Sequence, residues 1–381
     1  MSGKLDCKRQ FPDKIISSCA LFGVINLDEE RFGSADPVRA ISLMRERGNG
    51  LGAGFAIYGI YPEFKNDYAM HLMYTNSYAK KITEKYLSKN FRILMSEEIP
   101  IENNHAIGKA PIFWRYFLEP SIFADKLGKM GEDDLVVEAV MRINARIDGA
   151  FVMSSGKNMG VFKGIGFPED IASFFCLHEY RGYMWICHAR FPTNTPGWWG
   201  GAHPFSLLDW SVAHNGELSS YGTNRRYLEA HGYKCTMHTD TEVITYAFDL
   251  LSRRSKLPMS LVARVMAPPY WTEIDLMETR KRTLLTTLRI MYASLMLNGP
   301  FSIVVGHHGE MIGLTDRKKL RPLVAGKKDN VFYVSTEESA IRLISPVLDS
   351  IQRPSGGELI AVRSNRLFVP ETSSIEGAVL V

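Results

Sequence analysis

A layered α+β fold is what the sequence predicts, from two observations. Short apolar runs of strand length recur between residues 19 and 369, and amphipathic segments of helix length interrupt them without regular alternation. Elements in that order pack as sheets covered by helices rather than as a doubly wound parallel sheet. The 381 residues suffice for one large domain or two ordinary ones, and 45% hydrophobic against 23% charged residues is the mix of a globular chain with a large core.

Residues 1–18 are polar and mixed in charge and read as a leader or flexible arm. Residues 19–26 read as a buried strand. Pro37 to Arg47 reads as a helix, with Val38, Ile41, Leu43 and Met44 on one side and a stop at Gly48-Asn49-Gly50. Phe55 to Ile60 reads as a strand. Residues 61–140 show the least regular pattern, with helices expected at Ala79 to Lys89 and Asp133 to Ile147. A hairpin is expected from Gly149–Ser154 and Met159–Lys163 about Ser155-Gly156-Lys157-Asn158. Tyr183–Ala189 and Trp210–Ala213 read as strands, Thr241–Arg253 as a helix with Thr239 or Asp240 near its start, and Thr279–Leu297 as a long helix. Strands return at Phe301–Gly306, Met311–Leu314, Val331–Ser335, Leu359–Arg363 and Leu367–Val369.

Several classes of function do not fit. A net charge of +4 from 45 basic and 41 acidic residues, with short basic tracts at Arg280-Lys281-Arg282 and Lys318-Lys319, is no nucleic-acid footprint. The cysteines Cys7, Cys19, Cys176, Cys187 and Cys235 are odd in number and contain no CxxC pair. They suggest neither a disulfide framework nor a zinc or iron–sulfur site, and a reducing cytoplasm suits them. No apolar run reaches membrane-spanning length. A lipoprotein signal has its apolar stretch before the cysteine, whereas here Lys8, Arg9, Asp13 and Lys14 precede Cys19 and the apolar run follows it. Gly48-x-Gly50-x-Gly52-x-Gly54 lacks the dinucleotide spacing and follows a helix, and Ser155-Gly156-Lys157 lacks the earlier glycine of a P-loop.

The chemistry-bearing residues gather in a few places. Cys19 stands between small residues and a strand. His188-Ala189-Arg190-Phe191-Pro192-Thr193 and His214-Asn215-Gly216 each follow or end a predicted strand, where functional loops concentrate. Alone, the Asn-Gly pair reads as a tight turn and Arg190 as a surface ion pair. Read in order, however, Cys19, His188/Arg190/Thr193, Ala202-His203-Pro204, His214-Asn215-Gly216 and Thr239-Asp240-Thr241-Glu242 resemble the class II glutamine amidotransferases, whose nucleophile is an amino-terminal cysteine. Arg190 to Thr195 with Trp198, Asn298-Gly299-Pro300-Phe301 and Thr315 to Pro322 are similar to segments of the glutaminase domain of glutamate synthase. Two departures are Ala20 where that family has glycine and Pro192 where its loop has serine.

The resemblance implies a four-layer αββα sandwich of two mainly antiparallel sheets, with residues 1–18 as a propeptide and 19–381 as one glutaminase domain. It implies Cys19, Asn215 and Gly216 as catalytic residues, and Arg190, Phe191, Thr193, His203 and Asp240 as substrate-binding residues. Glutamine would be hydrolysed to glutamate and ammonia, with the ammonia passed to a separate synthase subunit. The chain itself would need no cofactor or metal; flavin and iron–sulfur would belong to the synthase. Alternatives are the glutaminase-like subunit of an N-methylglutamate synthase, and a non-catalytic glutamine sensor or scaffold. Neither nucleic acid nor membrane is an expected partner.

Overall fold

The protein is described by a computed structural model over residues 18–120, 130–192 and 197–364. Thr193, the arm before Ser18 and the strand expected at Leu367–Val369 lie outside the described residues.

In chain order the strands are β1 (Ala20–Asn26), β2 (Ala53–Tyr58), β3 (Tyr68–Tyr74), β4 (Phe91–Glu98), β5 (Ile112–Pro120), β6 (Ala150–Ser154), β7 (Met159–Gly164) and β8 (Met184–Ala189). They continue with β9 (Phe205–Leu207), β10 (Trp210–Gly216), β11 (Phe301–His307), β12 (Glu310–Thr315), β13 (Val324–Lys328), β14 (Val331–Ser335), β15 (Ser350–Gln352) and β16 (Ile360–Arg363). A seven-stranded sheet has the order β15-β13-β14-β1-β8-β2-β7, a five-stranded sheet β16-β12-β11-β10-β9, and a four-stranded sheet β4-β5-β3-β6. Every strand pairing among the described residues is antiparallel.

The layering follows from side-chain alternation along the strands. In β1, Leu21 and Ile25 join Tyr58, Val161 and Ile186 in a core that meets Ala213, Val304 and Met311 of the five-stranded sheet. Phe22 and Val24 take the opposite face, under helices at Ala35–Leu43, Pro168–Phe174 and Glu338–Ile344. The outer face of the five-stranded sheet, with Val212, Ile303 and Val305, packs on helices at Tyr221–Ala230, Asp240–Phe248, Met259–Met266 and Thr279–Met291. The outcome is the expected helix–sheet–sheet–helix sandwich. Burial on both faces explains why β1 reads as an unbroken apolar run, and each such side chain is worth roughly 1.5–3 kcal/mol. The four-stranded sheet is an addition, with Met70 and Leu72 in one helix-covered core and Ala69 and Met73 in the other.

Several expectations change. Gly149–Ser154 and Met159–Lys163 are strands but not a hairpin, because β6 pairs with β3 and β7 pairs with β2. The linker crosses between sheets, held where Lys157 N–H donates to Asp209 Oδ1 at 2.7 Å. Residues 61–140 contain three strands that the pattern concealed, β3, β4 and β5. The strand from Trp210 runs on to Gly216, and the helix from Asp240 becomes a π-helix at Asp249–Arg254. Cys19, Cys176, Cys187 and Cys235 are all free and buried. No helix among the described residues is long and apolar enough to cross a membrane.

Candidate active site

Three strand ends meet at one edge of the sandwich. Ala20 pairs with Ala189, so Cys19 at the head of β1 stands beside Arg190 at the end of β8. From the facing sheet, β10 ends at Asn215 and Gly216. The helix Asp240–Phe248 brings Asp240 on its first turn, with the Thr239 side chain capping Thr241 N–H. Cys19, Arg190, Phe191, His203, Gly216 and Asp240 all line one cavity of about 260 Å³, near the lower end of small-molecule sites.

Cys19 Sγ accepts the Phe191 N–H at 3.3 Å. Burial pushes its thiol up to about 11. The Phe191 N–H and Arg190 act against that rise, and Asp240 and Glu217 add to it. A thiol so placed is a weak nucleophile until a base takes its proton. Asp240 faces His214 at 3.3 Å and accepts Leu218 N–H at 3.1 Å. Burial acts to raise its carboxyl, but His214 and the neighbouring N–H groups outweigh that and hold it below the ordinary range. Asp240 is therefore an anion in the wall of the cavity that Arg190 also lines, a pairing suited to the two ends of a free amino acid.

The histidines are packed beneath these charges. His203 Nε2 lies 3.1 Å from Thr241 Oγ1, and its ring packs tilted against His188 with centroids 4.3 Å apart. His188 Nε2 bonds the His214 carbonyl at 3.0 Å. Burial holds His188 down to about 3 and His203 lower than usual too, so both imidazoles are neutral at pH 7.

Asn215 and Gly216 are strand residues rather than a tight turn, paired with Ser302 and Phe301 of β11. Gly216 has φ +148°, and a Cβ there would lie 2.0 Å from the Pro300 carbonyl oxygen. Glycine is required by that approach. The Pro300 segment is fixed in turn by Asp316, which accepts the N–H groups of Phe301, Lys318 and Leu320 at 3.2, 2.9 and 2.9 Å. The glycines leading into β2 have a similar use: a Cβ on Gly52 would crowd Arg190 at 3.1 Å, and one on Gly54, the second residue of β2, the His203 carbonyl at 2.4 Å.

Other participants gave little or no sequence signal. Ser18 Oγ bonds Asn215 Oδ1 at 3.2 Å and receives Arg47 Nη2 at 2.8 Å. Arg47 also donates to the Cys19 carbonyl at 3.2 Å and pairs with Glu337 at 2.7 Å. Arg47 carries no motif and reaches the site from the end of the first helical segment. Glu217 lines the cavity and was visible only as the neighbour of Asn215-Gly216.

A sequence model of the class-II glutamine amidotransferases matches residues 74–379. The chain belongs to that family. Its match holds Arg190, Asn215, Gly216 and Asp240, while Cys19 precedes it. An uncharacterized protein of Archaeoglobus fulgidus is 53% identical over 92% of this chain and 94% of its own length. A provisionally assigned glutamine amidotransferase of Methanothermobacter thermautotrophicus is 26% identical over 90% of this chain and 98% of its own. The amidophosphoribosyltransferase of Methanocaldococcus jannaschii is 25% identical over 58% of this amidotransferase, which spans only 42% of that enzyme. Membership makes the chain an enzyme of glutamine amide transfer.

Proposed function

We propose that this amidotransferase hydrolyses L-glutamine through a thioester on Cys19 and delivers the ammonia to a separate synthase subunit of the glutamate synthase type. The observation that carries this reading is the single cavity in which Cys19, Arg190, Gly216 and Asp240 meet. Arg190 offers a two-pronged donor for the substrate α-carboxylate, and Asp240 a counter-charge for the α-ammonium. Phe191 and His203 line the same pocket, and Thr193 keeps in this reading the substrate-binding role that the family resemblance implies. Cys19 Sγ adds to the side-chain amide carbon, and the Asn215 amide and Gly216 N–H stabilise the oxyanion. Ammonia leaves, and water then hydrolyses the thioester.

The high thiol pKa makes a base necessary. The α-amine of Cys19, once freed, has an ordinary pKa of about 7.7–8.0 and sits on the nucleophile's own residue. Residues 1–18 are therefore a propeptide in this reading, and cleavage before Cys19 switches the enzyme on. The contact of Ser18 Oγ with Asn215 supports this, since an intact chain engages the oxyanion donor residue.

Glutamine-dependent ammonia release, with Cys19→Ala as the blank, tests the activity. Equal release from both would remove the reading. Intact mass of the active protein tests maturation: active enzyme that still carries residues 1–18 would refute the amine's role. Co-purification from native cells identifies the ammonia acceptor.

A further inference from the structure

Ser18 is the last residue of the segment that maturation would remove, yet its side chain is tied into the site. Arg47 Nη2 donates to Ser18 Oγ at 2.8 Å, and Ser18 Oγ donates to Asn215 Oδ1 at 3.2 Å. Arg47 O accepts the Ser18 N–H at 3.4 Å, and Arg47 Nε donates to the Cys19 carbonyl at 3.2 Å, so one residue holds the backbone on both sides of the Ser18–Cys19 bond. Glu337 holds the guanidinium in place at 2.7 Å.

The direction of this chain of bonds is set at its arginine end. A guanidinium can only donate, whereas a hydroxyl has one proton and two lone pairs. With Arg47 on one lone pair, the hydroxyl proton needs an acceptor, and Asn215 Oδ1 is the one the structure provides. A flipped amide would present Nδ2 to the same oxygen and take away the Oδ1 acceptor that the hydroxyl proton has here. Asn215 Nδ2 is buried and has no partner among the described residues, so the orientation that satisfies Ser18 leaves that donor unspent.

We propose that Arg47 and Ser18 form a positioning relay that sets the Asn215 amide for self-cleavage of the Ser18–Cys19 bond, so that maturation uses the donor later used on glutamine. This rests on the maturation reading above. Cys19 Sγ adds to the Ser18 carbonyl carbon as its proton passes to the scissile nitrogen. That nitrogen turns basic in the tetrahedral adduct and so takes the place of the amine that does not yet exist, and the C–N bond then breaks. Water then splits the thioester, placing its hydroxyl on the Ser18 carboxyl group and its hydrogen on sulfur. Arg47 and Ser18 act only through Asn215 and the backbone they hold.

Ser18 permits a clean test, because cleavage removes it and every Ser18 variant matures to the same molecule. The full-length chain is purified as precursor, and loss of residues 1–18 is followed by intact mass. Ser18→Ala is expected to slow that loss roughly tenfold, the rate equivalent of one ordinary hydrogen bond. Ser18→Thr keeps the hydroxyl and should restore the rate, and Cys19→Ala should stop cleavage. Arg47→Lys keeps a donor-only partner and should cleave faster than Arg47→Gln, whose amide oxygen can take the hydroxyl proton and permit the flipped Asn215. Wild-type rates for Ser18→Ala, or equal slowing by Ser18→Ala and Ser18→Thr, would overturn the relay. If the wild-type chain hydrolyses glutamine without losing residues 1–18, it is the maturation reading beneath the relay that fails.

Discussion

In the proposed mechanism, Asn215→Ala removes one oxyanion donor without touching the charges assigned to gripping the substrate. It is expected to lower kcat by roughly 10²–10³-fold with a small change in KM. In the same mechanism Asp240→Asn should do the opposite, raising KM more than roughly tenfold by removing the counter-charge proposed for the ammonium. Steady-state kinetics on matured protein separates the two. A third residue tests the electrostatics around the site. Lys163 is 3% exposed with its ammonium 3.9 Å from the Phe205 ring centroid. Burial, then Arg190, push it from 10.5 down to about 7, with Glu242 acting against them. Between those values the unfolded chain keeps a proton that the folded chain has lost, so stability rises with pH across that window. Below pH 7 both states are protonated, and the cost of the buried charge is fully present. Lys163→Met should flatten this slope, which is at most about 1.4 kcal/mol per pH unit, in urea unfolding between pH 7.5 and 9.5.

Among the elements, the segment joining the helix Thr279–Met291 to β11 governs how β10 ends. Gly216→Ala meets the Pro300 carbonyl at 2.0 Å on a backbone with φ +148°. It should cost about 3 kcal/mol or more, read from the urea midpoint, and abolish ammonia release. Asp316→Ala strips the acceptor from three N–H groups in the supporting loop. It should lose about 2 kcal/mol or more and lower kcat while the protein still folds at low temperature. Elements with strong local patterns were legible: β1 as a continuous apolar run, the helix from Asp240 by its Thr239 cap, and β11 and β12 around a short turn. β3, β4 and β5 were not, because methionines, aromatics and charges are mixed along them and alternation in β4 shows only once its buried face is known. The strands β6 and β7 were visible but were expected to pair as a hairpin, since proximity in sequence is the strongest local cue to pairing. Burial on both sides of the linker drew each to a different sheet instead.

At the scale of the whole molecule, the sandwich is what makes a site from residues remote in sequence, such as Ser18 and Asn215, which are 197 positions apart. If the ammonia is handed directly to a partner, glutamine labelled with ¹⁵N in its amide should yield labelled product even with excess unlabelled ammonium present. Dilution of the label to the level of the bulk pool would argue for release into solution. The kinds of residue and their order along the chain were enough for the layered fold class, for the cysteine, arginine, asparagine–glycine and aspartate set, and for the family resemblance. These depend on local periodicity and on side-chain chemistry, which a chain displays before it folds. Which strands pair, why Gly216 must be glycine, how high the Cys19 thiol is pushed and that Arg47 reaches Ser18 and Cys19 were settled only in the folded molecule. Each depends on burial and on distances of a few ångströms between segments remote in sequence, and no local pattern encodes those.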